Sequence, residues 1–188
     1  MNAQRIPFAA FFFSLLALGG CAGQLYKVAP VPVNAPPVIS SSNPNGLSAG
    51  AMALDDDQSI AQFEANLPLA GVIAVDVRLA NQSPEMIDVK KLRFELSGAA
   101  TGRLKQISPK KALSKVMNFY GDSFYRIDAR QQTRENYQAI SLKLDGVLAP
   151  QEERRGFLFF ETKKGVVSSD SLSLVIKGTN APISVQLK

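Results

Sequence analysis

Apolar residues recur at every second position in stretch after stretch of this chain, and that spacing restricts its fold more than any other feature. Ile73, Val75, Val77 and Leu79 alternate with Ala74, Asp76, Arg78 and Ala80, the pattern of a strand with one buried face. The same period appears in Leu92-Phe94-Leu96, Ile140-Leu142-Leu144, Leu172-Leu174-Ile176 and Ile183-Val185-Leu187. Ile87 and Val89 keep one phase and the residues after Leu92 take the other. The slip at Lys90-Lys91 marks a bulge or a strand that changes sheets. Residues 157–160 form a continuous apolar run bounded by Gly156 and the polar Thr162-Lys163-Lys164. Six or seven short strands, punctuated by Gly146, Pro150, Gly165 and Gly178, describe an antiparallel two-sheet β-sandwich without internal repeats.

Ser108-Pro109 opens one helix, with serine as N-cap and proline at the first helical position. Leu113, Val116, Met117 and Tyr120 then share one face, and Gly121 marks the end. Asp55-Asp56-Asp57 before Ser59 to Phe63 reads either as a second helix start, where carboxylates meet the positive end of the helix dipole, or as a solvated lead-in. The expected fold is therefore mainly β, a sandwich with one short α-helix.

The amino-terminal region reads differently. Arg5 precedes an apolar run at residues 6–18, too short for a transmembrane helix, which needs roughly 20 residues. It ends in Leu18-Gly19-Gly20-Cys21, which resembles the lipobox of bacterial lipoproteins, with cleavage and diacylglycerol attachment at Cys21. Ala22, where lipoproteins retained at the inner membrane often carry aspartate, favours the outer membrane, with the protein at its periplasmic face. Residues 21–53 carry five prolines, a Ser40-Ser41-Ser42 run and a single charge, Lys27. Such a segment buries too little apolar surface to offset the entropy of ordering it. It is expected to be a flexible tether reaching between about 30 and 100 Å, with an edge strand at residues 31–39 as the competing reading. The expected organisation is a signal peptide at 1–20, the lipidated cysteine and tether at 21–53, and the sandwich at 54–188.

Composition limits the chemistry. The chain has one cysteine, no histidine and no tryptophan. With Cys21 acylated there is no thiol for a disulfide or a nucleophile. Lacking histidine, the chain is without the commonest general base and zinc ligand, which removes Ser-His-Asp, Cys-His and His-rich metal arrangements. No cofactor or metal site is expected.

Phe63 to Leu67, Gly71 to Val75, the strand ending Asn81-Gln82-Ser83, Leu148-Ala149-Pro150-Gln151-Glu152 and Gly156 to Phe160 together resemble a group of uncharacterised bacterial envelope lipoproteins with an immunoglobulin-like domain. The likeness spans about residues 54 to 165. Gln151 stands where that pattern usually has glycine, and Ala74 where proline is common. The resemblance implies a fold and an address, and brings no catalytic residue.

Three local patterns are candidates for chemistry. Ser108-Pro109-Lys110-Lys111 fits the S-x-x-K motif of penicillin-recognising enzymes, with Ser169-Asp170-Ser171 and Lys177-Gly178-Thr179 as weak echoes of the later motifs. Capping is the simpler role for a serine before a proline. Asp55-Asp56-Asp57 lacks the alternating spacing and glycine turn of a calcium loop. The third pattern is electrostatic. Across residues 90–115, eight cations face only Glu95, and Lys105, Lys110, Lys111 and Lys115 are its candidate contacts to an anionic partner. Phospholipid or lipopolysaccharide head groups, peptidoglycan carboxylates and an acidic protein all qualify; nucleic acid is disfavoured by compartment. Phe119-Tyr120 and Phe124-Tyr125 place aromatics nearby, as packing or as a partner-binding loop. The functional expectation is a non-enzymatic, membrane-anchored interaction or assembly module. The alternatives are a serine/lysine envelope hydrolase and a module binding anionic lipid or peptidoglycan.

Overall fold

The computed structural model describes residues 26–99, 101–122, 127–162 and 172–187, with the side chains of residues 127 and 128 excepted. Ten strands and three helices follow in the order β1 (Ser41–Ser42), β2 (Leu47–Ala53), α1 (Asp56–Phe63), β3 (Val72–Asn81), β4 (Ile87–Asp88), β5 (Arg93–Gly98), β6 (Gly102–Ile107), α2 (Pro109–Tyr120), α3 (Ile127–Ala139), β7 (Val147–Leu148), β8 (Glu153–Glu161), β9 (Leu172–Lys177) and β10 (Ile183–Gln186). Eight strands form one antiparallel ladder, β1-β2-β3-β8-β6-β5-β9-β10, and β4 pairs with β7 in a separate ribbon.

β6 is where the ladder turns. Gly102 to Leu104 pair with β5, whereas Lys105 to Ile107 pair with β8. The two halves thus fold over one apolar core, filled by Ile73, Val75, Val77 and Leu79 of β3, Leu158 and Phe160 of β8, and Leu96, Leu174, Ile176 and Val185 from across. The mainly β, antiparallel expectation holds. The slip at Lys90-Lys91 is a strand changing sheets: Ile87–Asp88 pairs with β7, a 3₁₀ turn covers Val89–Lys91, and β5 joins β6 and β9.

Three expectations need correction. The described residues hold three α-helices, not one, and these form a layer over the outer face of β3 and β8. A second core lies beneath them, where Phe63 of α1 packs on Tyr137 of α3 and on Phe157 and Phe159 of β8 at ring separations of 5.1–5.9 Å. The Phe157 to Phe160 run is unbroken because alternate residues serve the two cores. β3 is likewise buried on both faces, so Asp76, expected on a solvated face, is 0% exposed.

The second correction concerns residues 21–53. β2 lies inside the ladder against β3, with Leu47 paired to Asn81 and Ala53 to Val75, and Leu47, Ala49 and Ala53 are buried. Residues 26–40 run across the outer face without pairing as a strand, apart from Ser40, which donates to the Ala49 carbonyl. The segment is largely exposed, and side chains of the domain fasten its backbone. Buried Gln62 donates to the carbonyls of Ala29 and Val31 and accepts from the Val33 amide at 2.8 Å. Arg155 donates to the carbonyls of Asn34 and Ala35. At Gly50 the segment crosses so closely that a Cβ would stand 2.3 Å from the Val38 carbonyl oxygen. The organisation 21–53 as tether and 54–188 as domain therefore gives way to a domain that is already ordered at Tyr26, itself buried with Val28.

Third, Ile140-Leu142-Leu144 is not a strand. Only Ser141 bridges to Phe157, in parallel sense, as the chain passes between the two cores. Gly156 permits this crossing, since a Cβ there would lie 2.5 Å from the Leu142 amide nitrogen.

Candidate interaction surfaces

Residues 1–20 and Cys21 lie outside the described residues, as do Phe124, Tyr125 and Ser169-Asp170-Ser171. Ser108 sits at the start of α2 in extended conformation, its hydroxyl accepting from the Lys111 backbone amide at 3.2 Å. That is a cap, of the kind that stabilises a helix by about 0.5–2 kcal/mol. The Lys111 ammonium points to Glu161 at 2.7 Å. Ser108 and Lys111 do not form a nucleophile–base pair. Asp55 is the N-cap of α1, closing a capping box with Gln58. No group of three metal-ligating side chains occurs among the described residues.

The basic stretch is less one-sided in space than in sequence. Lys111 and Lys115 both bind Glu161, at 2.7 and 3.0 Å. Their two hydrogen bonds hold the Glu161 carboxyl down at about 2. Glu95 receives Lys177 and Arg103, and its carboxyl is lowered chiefly by the Lys177 bond. Lys91 lies 3.6 Å from Asp88. Lys105 and Lys110 are exposed and make no ion pair among the described residues. So two of the four candidate anion contacts are already paired within the fold.

Under the strap of residues 26–40, Arg155 holds Asp76 through bonds of 2.6–3.2 Å. Burial pushes the Asp76 carboxyl above its ordinary range, against the pull of the guanidinium. This pair is structural, since Arg155 also carries two strap carbonyls. The Tyr137 hydroxyl finds no hydrogen-bond partner among the described residues, and burial raises it far above the usual tyrosine range.

Among the described residues a cleft of about 710 Å³ is lined by Ser108, Gln138, Lys143 and Asp145, without Lys111, and two further surfaces are open. The first is a cleft of about 740 Å³ where three loops meet at the end of β3 marked by Asn81. Gly46, Ser83, Met86, Asp88 and Thr179 are among its walls. Two buried asparagines fix their positions. Asn43 accepts from the amides of Asn45 and Leu47 and donates to Thr179 and the Ala181 carbonyl. Asn81 donates to the carbonyls of Glu85 and Leu148 and accepts from Ser83. Met86 stands 70% exposed at the rim. The second is a groove of about 150 Å³ between α2 and α3, bordered by Lys110, Ser114, Asn118, Arg130 and Arg134. Neither surface was foreseen from sequence, because loops from residues 44 to 180 build the first and α3, unrecognised, supplies half of the second.

The poles are distinct. Tyr120 accepts from the Asn66 amide, just before β3 begins, and Tyr26 donates to Asp122 beyond α2. The first described residue therefore sits near the Val72 end of β3, while the loop cleft occupies the Asn81 end. A ten-residue strand separates them by roughly 30 Å.

No protein-family model matches the chain. No curated protein matches it. Two solved structures show a distant likeness. One is an ApaG protein from Pseudomonas aeruginosa, 13% identical, covering 70% of this chain and 96% of its own, with a TM-score of 0.37. The other is a conserved hypothetical protein from Bacillus anthracis, 12% identical, covering 81% and 94% respectively, also at 0.37. At that similarity neither neighbour bears on the function of this chain, which rests on its own geometry.

Proposed function

We propose that this chain is an envelope lipoprotein, anchored through Cys21 at the periplasmic face of the outer membrane, whose immunoglobulin-like domain acts as a non-catalytic interaction or assembly module. The observation that carries this reading is the polar arrangement of the molecule. The first described residue, Tyr26, follows Cys21 by five positions, and the loop cleft lies at the pole opposite to it. An anchor at the Tyr26 end leaves the cleft facing away from the membrane. The cleft walls are preorganised by Asn43 and Asn81, which lowers the ordering cost of binding.

A photo-reactive side chain placed at Met86 tests the cleft as the contact site, with Val38, also exposed, as the comparison. In intact cells the probe at 86 should give a discrete crosslinked protein band and the probe at 38 should not. Equal labelling from both positions would remove the cleft from the account. The anchor is tested by Cys21→Ser, which should leave an uncleaved or mislocalised precursor. A normally processed mutant in the membrane fraction would contradict the lipoprotein reading.

A further inference from the structure

The described chain leaves little slack between anchor and domain. Five residue steps from Cys21 to Tyr26 reach at most about 18 Å at 3.3–3.6 Å per residue, and the Tyr26 hydroxyl donates to Asp122. The Asp122 backbone carbonyl also accepts from Nη2 of Arg130, a groove residue, at 3.5 Å. Tyr26 and the groove residue Arg130 therefore contact the same residue.

The groove is cationic and unsatisfied. Lys110 and Arg134 are exposed, and neither they nor Arg130 has a carboxylate within ion-pairing distance among the described residues. Arg130 is half-buried, and its Nε is fully shielded with no hydrogen-bond partner among the described residues. That shielded Nε is out of a ligand's reach, but the exposed Lys110 ammonium and Arg134 guanidinium at the groove are open to a phosphate oxygen, which a planar guanidinium fork suits. Lys111 and Lys115, on a neighbouring face of α2, are by contrast held by Glu161. Exposed Phe119 and Tyr120 stand at the end of α2, as aromatic side chains do at a membrane–water boundary.

Resting on the anchored reading above, we infer that the groove of Lys110, Arg130 and Arg134 takes the phosphate of an anionic lipid head group in the membrane that holds the anchor. The acyl chains supply attachment, and the three cations supply orientation, laying α2 and α3 against the bilayer. The groove has room for a phosphate group and little more, so one head group is engaged at a time.

The test uses the mature lipidated protein carrying Gln131→Cys, an exposed position on α3 beside the groove, labelled with a fluorophore. The introduced thiol is the only free one, because Cys21 is acylated. The protein is reconstituted in phosphatidylcholine vesicles with or without phosphatidylglycerol and with nitroxide-bearing lipids as quencher. Flotation with the vesicles reads the anchor, and quenching at position 131 reads the groove. Quenching should rise severalfold with phosphatidylglycerol, fall to the phosphatidylcholine level in Lys110→Glu/Arg134→Glu and at high salt, and persist in Lys105→Glu. Floated protein whose quenching ignores phosphatidylglycerol or the double substitution overturns the inference while leaving the anchor intact. Failure of the protein to float overturns the anchored reading and the inference with it. Suppression of the effect by millimolar inorganic phosphate at constant ionic strength supports a phosphate site. Phosphate protection of the groove without any response to the lipid would assign a free anion instead, and overturn the head-group assignment.

Discussion

Glu161 decides how the basic stretch behaves. At the end of β8 it faces the first two turns of α2 and binds Lys111 and Lys115 at once, fastening the helix layer to the sheet. Its carboxyl is held at about 2, against an ordinary value of 4.5, so the folded state favours its ionised form. The stabilisation is complete above about 4.5 and is lost as pH falls toward about 2. Glu161→Gln should lower stability at neutral pH by about 0.5–1 kcal/mol, the scale of part-exposed ion pairs. It should also remove part of the acid-induced decline, measured by denaturant unfolding at pH 7, 4 and 2.5. An unchanged pH dependence would show that the pairs contribute nothing. Sequence windows could not reveal Glu161 as the partner, because it lies 46 residues beyond Lys115. A local excess of charge says nothing about carboxylates that folding brings in from elsewhere.

Elements were legible where local chemistry alone determines them. α2 matches its reading from Ser108 to Gly121 because a cap, a proline and an apolar face coincide there. α3 escaped notice because IDARQQTRENYQA carries almost no apolar stripe; it is seated by Tyr137 and Thr133, one turn apart and both fully buried. β2 escaped for the opposite reason. Its sequence, LSAGAMA, has small residues where alternation would normally show, and small residues are what a strand crossed by the segment at residues 26–40 requires. Gly50→Ala should therefore be disruptive, since the new Cβ meets the Val38 carbonyl oxygen at 2.3 Å. We expect a loss of about 1–3 kcal/mol, typical of overpacking, and faster proteolysis within residues 30–38. Unaltered stability and proteolysis would mean that the segment does not bear on β2.

At the scale of the molecule, the fold is a ladder folded over one core, with a helical layer over a second and a prolyl strap bound across the outside. Its mainly antiparallel β character was legible from the period of two. The helical layer was not, because strands covered on both faces still alternate when small or polar residues such as Ala74 and Asp76 occupy the second face. The strap matters most for the proposed function, since residues 26–40 lie bound to the domain where a free tether was expected, which on the proposed anchored reading shortens the reach from Cys21. The proposed binding at the loop cleft and the proposed orientation by the α2–α3 groove both depend on that geometry. Hydrogen exchange on the intact mature protein tests it most directly. The amides of Ala29 and Ser40, bonded to Gln62 and Ala49, and those of β2 should be protected well above random-coil rates, with β2 approaching the protection of β3. Random-coil exchange throughout residues 26–53, beside a protected β3, would contradict the account and restore a long flexible tether.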